Sequence, residues 1–305
     1  MSQPVPAPAV DAAETPAAAE PPGPSTLREV ARDLWDYREL LYQLTLRDIR
    51  IRYKQAIMGF AWAVFMPMFV IGAGVLVRYA MAQFAGRTLA ADAVAGIAVK
   101  ALPWAFFVGA IGFATTSLVG NANLVSKVYF PREVLPLSAV LAQAFDSAIG
   151  TLALLVLLSL LGVDLGLTAL WAPLLAGMLL AFTAGAALFL GAANLFFRDV
   201  KYIVQVLLTF GIFVTPVFFE PAMFGPSGAQ LMMLNPLAPI LEGLRLAVVA
   251  GHDLLAPLQA VGRGGLEVVA WSPWYLLYAG AWALLGLFGS AALFHRLEFV
   301  FAEYV

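Results

Sequence analysis

A chain of 305 residues that is 62% hydrophobic and only 12% charged, with a positive mean hydropathy, is too apolar for a water-soluble core of that size. The absence of cysteine excludes disulfides, thiolate chemistry and cysteine-based metal sites. A net charge of −2 gives no reason to expect a nucleic-acid partner.

Residues 1–26 are Ala, Pro and a few acids, including Pro4, Pro6, Pro8, Pro16, Pro21, Pro22 and Pro24. Such a segment cannot bury enough apolar surface to order itself, so a disordered tail is expected. It lacks the basic and apolar regions of a cleaved signal peptide. From Leu27 to Gln55, Leu27, Val30, Ala31, Leu34, Tyr37, Leu41 and Leu44 recur at three- and four-residue steps, with Arg28, Glu29, Arg32, Asp33, Asp36 and Glu39 opposite. This period predicts an amphipathic helix, capped by Ser25 or Thr26 with Glu29 completing a capping box. The helix can anchor at the membrane surface, its polar face can dock a cytoplasmic partner, or both.

Apolar stretches follow at about 57–80, 101–120, 134–162, 170–196, 202–220 and 273–295. Each reaches or approaches the roughly 20 residues a helix needs to cross a hydrocarbon core, where every backbone polar group must be satisfied internally. The expected fold is an all-α membrane protein, with a six-helix transmembrane domain over 56–300 behind the 27–55 helix. Six spans put both termini on one side. That side would carry Arg28, Arg32, Arg38, Arg47, Arg50, Arg52, Lys54, Lys127, Arg132, Arg198, Lys201 and Arg296, against Arg78, Arg87, Lys100, Arg245 and Arg263 on the other. The bias makes both termini cytoplasmic, in a multi-pass protein of the inner membrane.

Two connections stand out. Gly120–Glu133 interleaves Leu124, Val125, Tyr129 and Phe130 with Lys127 and Arg132. It is either a tight link between spans or a helical turn pressed against a peripheral subunit, with Asn121 or Asn123 as cap and Pro131 as terminator. The fifth-to-sixth connection, about 221–272, is long and outward-facing. Pro239–Ala250 reads there as a helix too short to span, inside a re-entrant or interfacial segment over 221–250.

Catalytic motifs are missing. There is no phosphate loop, since Gly120 to Lys127 has the wrong spacing. No Asp-rich magnesium motif occurs. His252 and His295, the only histidines, fall on opposite predicted sides, so no metal site or catalytic triad is expected within one chain. Asp146 lies about 18 Å into the third span, with Gln143 and Gly150 on its face. Intramembrane acids face bundle interiors or cavities. Asp146 is therefore a packing partner, part of a pore-lining stripe or a proton-coupling carboxylate, and no Lys, Arg or His within the spans is available to pair with it. Trp62, Phe65, Phe106 and Phe210 are among many span aromatics, either packed, facing lipid or lining a path for carbohydrate.

Four stretches carry a resemblance: Arg52-Tyr53-Lys54 with Met58-Gly59 and Trp62; Asn123 to Pro136, including Tyr129-Phe130-Pro131-Arg132-Glu133; Asn194 to Val200; and Asn235-Pro236 with Pro239, Glu242 and Arg245. Over about 27–300 the chain resembles the membrane-spanning permease of ABC-type polysaccharide exporters, the family of O-antigen, capsule and teichoic-acid export. The long Pro/Ala tail is a departure. The resemblance implies that two copies pair and that two separate ABC ATPase subunits, which bind the ATP and magnesium, sit beneath; this chain itself is then no enzyme and holds no cofactor. It implies ATPase coupling through Asn123, Lys127, Tyr129, Phe130, Arg132 and Glu133, joined by Arg47 and Arg50 of the interface helix. A substrate path would pass Gln143, Asp146, Trp62, Phe65, Phe106 and Phe210, and an outer gate would involve Asn235, Pro236, Glu242 and Arg245. The implied cargo is a lipid-linked or lipid-terminated polysaccharide. Which glycan it is, and whether a periplasmic partner continues the route, stay open. A drug or lipid efflux permease would share the spans. A proton-coupled carrier would rest on Asp146 alone, and a membrane transferase would need acids or an inward histidine that the sequence does not offer.

Overall fold

A computed structural model describes residues 27–54, 59, 61–86, 88–261 and 267–304. The Pro/Ala tail, the Ser25 or Thr26 cap, Phe60, Arg87, Arg263 and residues 55–58 of the resembling stretch lie outside the described residues. The predicted interface helix forms as two: α1 (Leu27–Asp36) and α2 (Arg38–Tyr53). Tyr37 leaves helical geometry between them, at φ −95° and ψ 18°.

Among the described residues, five helices are long and apolar enough to cross a membrane: α3 (Ala61–Phe84), α4 (Ala91–Gly120), then, beyond the short α5 (Ala122–Lys127), α6 (Val134–Leu160), α7 (Trp171–Phe196) and, the last of them, α11 (Pro273–Tyr304). Within these, 67% of the apolar window of α4 is buried against 17% for α3 and α11. That makes α4 the axis around which α3, α6 and α7 pack, while the other spans keep broad apolar faces exposed. It begins ten residues earlier than the sequence suggested, which carries Lys100 from a presumed outer loop into buried helix.

The predicted fifth span divides. Helix α8 (Val200–Val214) has 15 residues, about 22 Å of helix, and stops where Thr215 turns extended, at φ −98° and ψ 138°. Pro216 is the cause, because its ring disfavours helical geometry in the residue before it. Val217 and Phe218 then bury, and Phe218 presses on α3 where Gly74 allows it. A Cβ at Gly74 would lie 2.5 Å from a Phe218 ring carbon.

After a 3₁₀ turn at Pro221–Phe224 come α9 (Gly225–Met233) and α10 (Leu237–Val248). The latter is the short helix expected near 239–250, and it is sunk against α4 and α7. An antiparallel hairpin of β1 (Leu258–Val261) and β2 (Glu267–Trp271) follows, a small β element in a chain read as all-α. Its inner residues Val268 and Ala270 are buried. Helix α11 lies along α7 so closely that a Cβ on Gly185 would meet the Gly286 backbone at 2.6 Å. It continues to Tyr304, past the expected end of the last span near residue 295.

Two cores result. The larger joins α4, α6, α7 and α10. The smaller, at the opposite end, gathers Leu44, Leu118, Val125, Phe130, Val134, Leu195, Phe294 and Phe301 from the helix ends around α2 and α5.

Candidate functional site

Charged side chains concentrate in three places, each assembled from segments remote in sequence. The first lies between α2 and α6. Because α2 packs along α6, Asp48 stands level with Ser138, whose hydroxyl donates to it at 3.1 Å. One turn further, Arg52 reaches Asp146. Arg52 Nη1 donates to Asp146 Oδ2 at 2.6 Å and to Gln143 Oε1 at 2.9 Å, and Tyr53 Oη donates to Asp146 Oδ1 at 2.5 Å. The guanidinium also sits 4.0 Å from the Phe113 ring centroid, a cation–π contact. Burial, then the hydrogen bond to Asp146, pushes the Tyr53 phenol well above its usual range. Gln143 is held from the far side as well, since Gly109 leaves its amide space that a Cβ would fill at 2.7 Å. Asp146 therefore has a cationic partner, Arg52, which lies outside the spans. The partner comes from the amphipathic helix, whose end inserts beside α6, and not from another span.

The second cluster surrounds α10. Glu242 is fully buried and accepts from Arg245 Nη2 at 2.5 Å and Lys100 Nζ at 3.4 Å. Lys100 Nζ also donates to the Phe219 carbonyl at 2.7 Å, satisfying backbone freed where α8 stops. Nearby, Arg78 pairs with Glu220 at 3.4 Å. Asn235 Nδ2 donates to Thr215 Oγ1 at 2.8 Å, and its Oδ1 accepts from the Leu237 N–H just after Pro236. Glu242 and Arg245, with Asn235 and Pro236 at the helix start, thus lie together on one element, and Lys100 is the member that sequence reasoning missed.

The third cluster lies around α5. Asn123, Lys127 and Tyr129 are exposed, Tyr129 at 92%. The rest of the predicted coupling set turns inward. Phe130 is buried in the smaller core, Arg132 donates to the carbonyls of Glu298 and Val125, and buried Glu133 accepts from His295 Nδ1 at 3.1 Å. Of the interface-helix arginines, Arg50 is exposed and Arg47 pairs with its neighbour Asp48 at 2.9 Å. The aromatics separate likewise: Trp62 and Phe65 form a half-exposed edge-to-face pair on α3, Phe210 is exposed on α8, and Phe106 is buried in the main core.

Arg52, Tyr53, His295 and Glu298 were also missed as site residues. Their signal was faint: an Arg-Tyr pair closing an amphipathic helix, and a His and Glu one turn apart at the end of an apolar one.

Residues 39–249, which hold α2 to α10 and most of these side chains, match the model of the ABC-2 type transporter family. The chain belongs to that family. As an ABC-2 transporter protein it is a multi-pass membrane subunit of the inner membrane, and membership implies an ABC ATPase partner. Among its relatives are three proteins named O-antigen export system permease protein RfbA. One from Myxococcus xanthus is 28% identical over 256 residues, covering 80% of this chain and 93% of the relative. Two from Klebsiella pneumoniae are 26% identical over 68% of this chain and 79% of the relative, and 24% identical over 87% and 94%.

Proposed function

We propose that this ABC-2 permease is one half of the membrane part of an ATP-driven exporter, moving a lipid-linked or lipid-terminated polysaccharide across the inner membrane. Two copies would pair, and two ATPase chains would bind at the end where α1, α2, α5 and the end of α11 gather. The relatives' shared name supports the cargo class. The observation that carries the coupling assignment is the α5 segment: Asn123, Lys127 and Tyr129 stand free on a loop whose other side, Phe130 to Glu133, is locked to α11 and the smaller core. A push on the exposed residues is thereby transmitted to the starts and ends of spans.

Asp146 fits a transmission role better than a proton-coupling one, because both its oxygens are engaged by Arg52 and Tyr53. The α2 helix and α6 are joined there as one lever. The 215–250 segment, with a broken helix tied by side chains, is the part of the outer half that can rearrange without unwinding a span.

The test is reconstitution with the cognate ATPase. Tyr129→Ala with Lys127→Glu is expected to leave the permease folded and dimeric while abolishing permease-dependent ATP hydrolysis and surface polysaccharide in cells. Normal export by this double variant would rule out α5 as the coupling element.

A further inference from the structure

The Glu133–His295–Glu298 cluster enters the export reading above only as a lock between the 128–133 loop and α11. Glu133 comes from the turn before α6, while His295 and Glu298 lie one turn apart on α11. His295 Nδ1 is 3.1 Å from Glu133 Oε1 and 3.3 Å from Glu298 Oε1. One potential ligand atom from each residue lies within 4.8 Å of the other two. A tetrahedral zinc ion with bonds of about 2.0–2.2 Å holds its ligands about 3.3 Å apart, close to the separation of His295 Nδ1 from each of the two carboxylates.

A second observation points the same way. Among the described residues, Glu133 Oε2 is the one buried side-chain oxygen or nitrogen without a hydrogen-bond partner, on a residue only 2% exposed. A buried carboxylate oxygen without a donor is costly, and a cation relieves that cost directly. The neighbouring Arg132 does not bond it, because its guanidinium turns to the backbone carbonyls of Glu298 and Val125. A cavity of about 430 Å³, lined by Asp33, Tyr37, Arg132, His295 and Glu298, opens onto the His295 and Glu298 side of the cluster. It provides an entry path and room for water as a remaining ligand.

We propose that Glu133, His295 and Glu298 form a site for a divalent transition-metal ion, of which Zn²⁺ is the natural probe: one imidazole and two carboxylates are a donor set suited to such ions. The ion would staple the 128–133 loop to the end of α11, so its occupancy would set how firmly the loop behind Tyr129 is held. This goes beyond the export reading and does not depend on it.

The experiment uses the full chain with a tag free of histidine, purified in detergent, stripped with chelator and titrated with Zn²⁺. One ion per chain is expected, with X-ray absorption showing one imidazole nitrogen and carboxylate oxygens at about 2.0–2.2 Å. At a hundredfold excess over the dissociation constant, the melting temperature is expected to rise on the order of 5 °C. Glu298→Gln, at the accessible rim, and His295→Gln are each expected to weaken binding at least about tenfold and to remove the melting shift. Absence of saturable binding would overturn the proposal. So would binding that both variants leave unchanged, which would place the ion elsewhere, for instance at His252.

Discussion

Replacing Asp146 by Ala strands the Arg52 guanidinium in the packed seam between α2 and α6. Both side chains are largely buried, at 16% and 12% exposure, so water cannot take over the lost contacts. Breaking one partner of a buried pair costs about 3–5 kcal/mol, a fall in melting temperature of about 5–8 °C for a chain of this size. Asp146→Asn keeps one acceptor oxygen, for Arg52, and turns its amide N–H toward the Tyr53 hydroxyl, which can accept, but it loses the charge that strengthens these bonds, so its cost is nearer 1–2 kcal/mol. Replacing both members with apolar residues of similar volume, Arg52→Met with Asp146→Leu, removes the stranded charge and is expected to recover most of the loss. The assay is thermal unfolding of purified variants in detergent, followed by gel-filtration fluorescence, with wild type, Arg52→Met, Asp146→Leu and the double variant read as a double-mutant cycle. The expected order of stability puts wild type and double variant highest, Asp146→Asn between and Asp146→Ala lowest. A double variant that loses the sum of the two single losses would refute the claim that α2 and α6 are joined through this pair.

Other expectations can be checked on the same proteins. Gly185→Val drives a side chain into the Gly286 backbone and is expected to cost about 1–3 kcal/mol or more, whereas Gly112→Ala, with nothing within 4 Å of the added carbon, should melt like wild type. Glu242→Leu strips a counter-ion from both Lys100 and Arg245, so it should lower folded yield more than Lys100→Met, which leaves the Glu242–Arg245 pair intact; equal losses would deny Glu242 its central place. Phe130→Ala opens a cavity in the smaller core and is expected to cost about 3–5 kcal/mol, while Tyr129→Ala next to it should stay within about 0.5 kcal/mol of wild type. Thermal unfolding separates these neighbours.

The spans were legible because crossing a membrane demands length and apolarity at once, and α3, α6, α7 and α11 satisfy both without help from the rest of the chain. Helix α10 was legible too, since Pro239 and the leucines after it bound a helix too short to cross. Lys100 was not, because a charge in an apolar run reads as the end of a span unless its counter-ion is known, and Glu242 lies 142 residues on. Arg52 and Asp146 are 94 residues apart, and the sequence offers no sign that the amphipathic helix inserts beside α6. The early stop of α8 had a local signal in Pro216 that hydropathy outweighed. In the hairpin, Val268 and Ala270 alternate with Glu267 and Val269, but the run is too short to stand out beside long helices. The α5 stretch was found as a unit, yet only burial separates outward Lys127 and Tyr129 from inward Phe130, Arg132 and Glu133.

The Lys100–Glu242 pair also bears on how the protein is made. A chain synthesised from its N-terminus offers α4 to the bilayer long before α10 exists, so the Lys100 ammonium enters without its counter-ion. For that interval, the central helix carries a charge that lipid does not tolerate. Its first partner to emerge is the Phe219 carbonyl, which is free only because α8 ends early. The early end of α8 thus gives Lys100 an acceptor that is synthesised before its counter-ion Glu242.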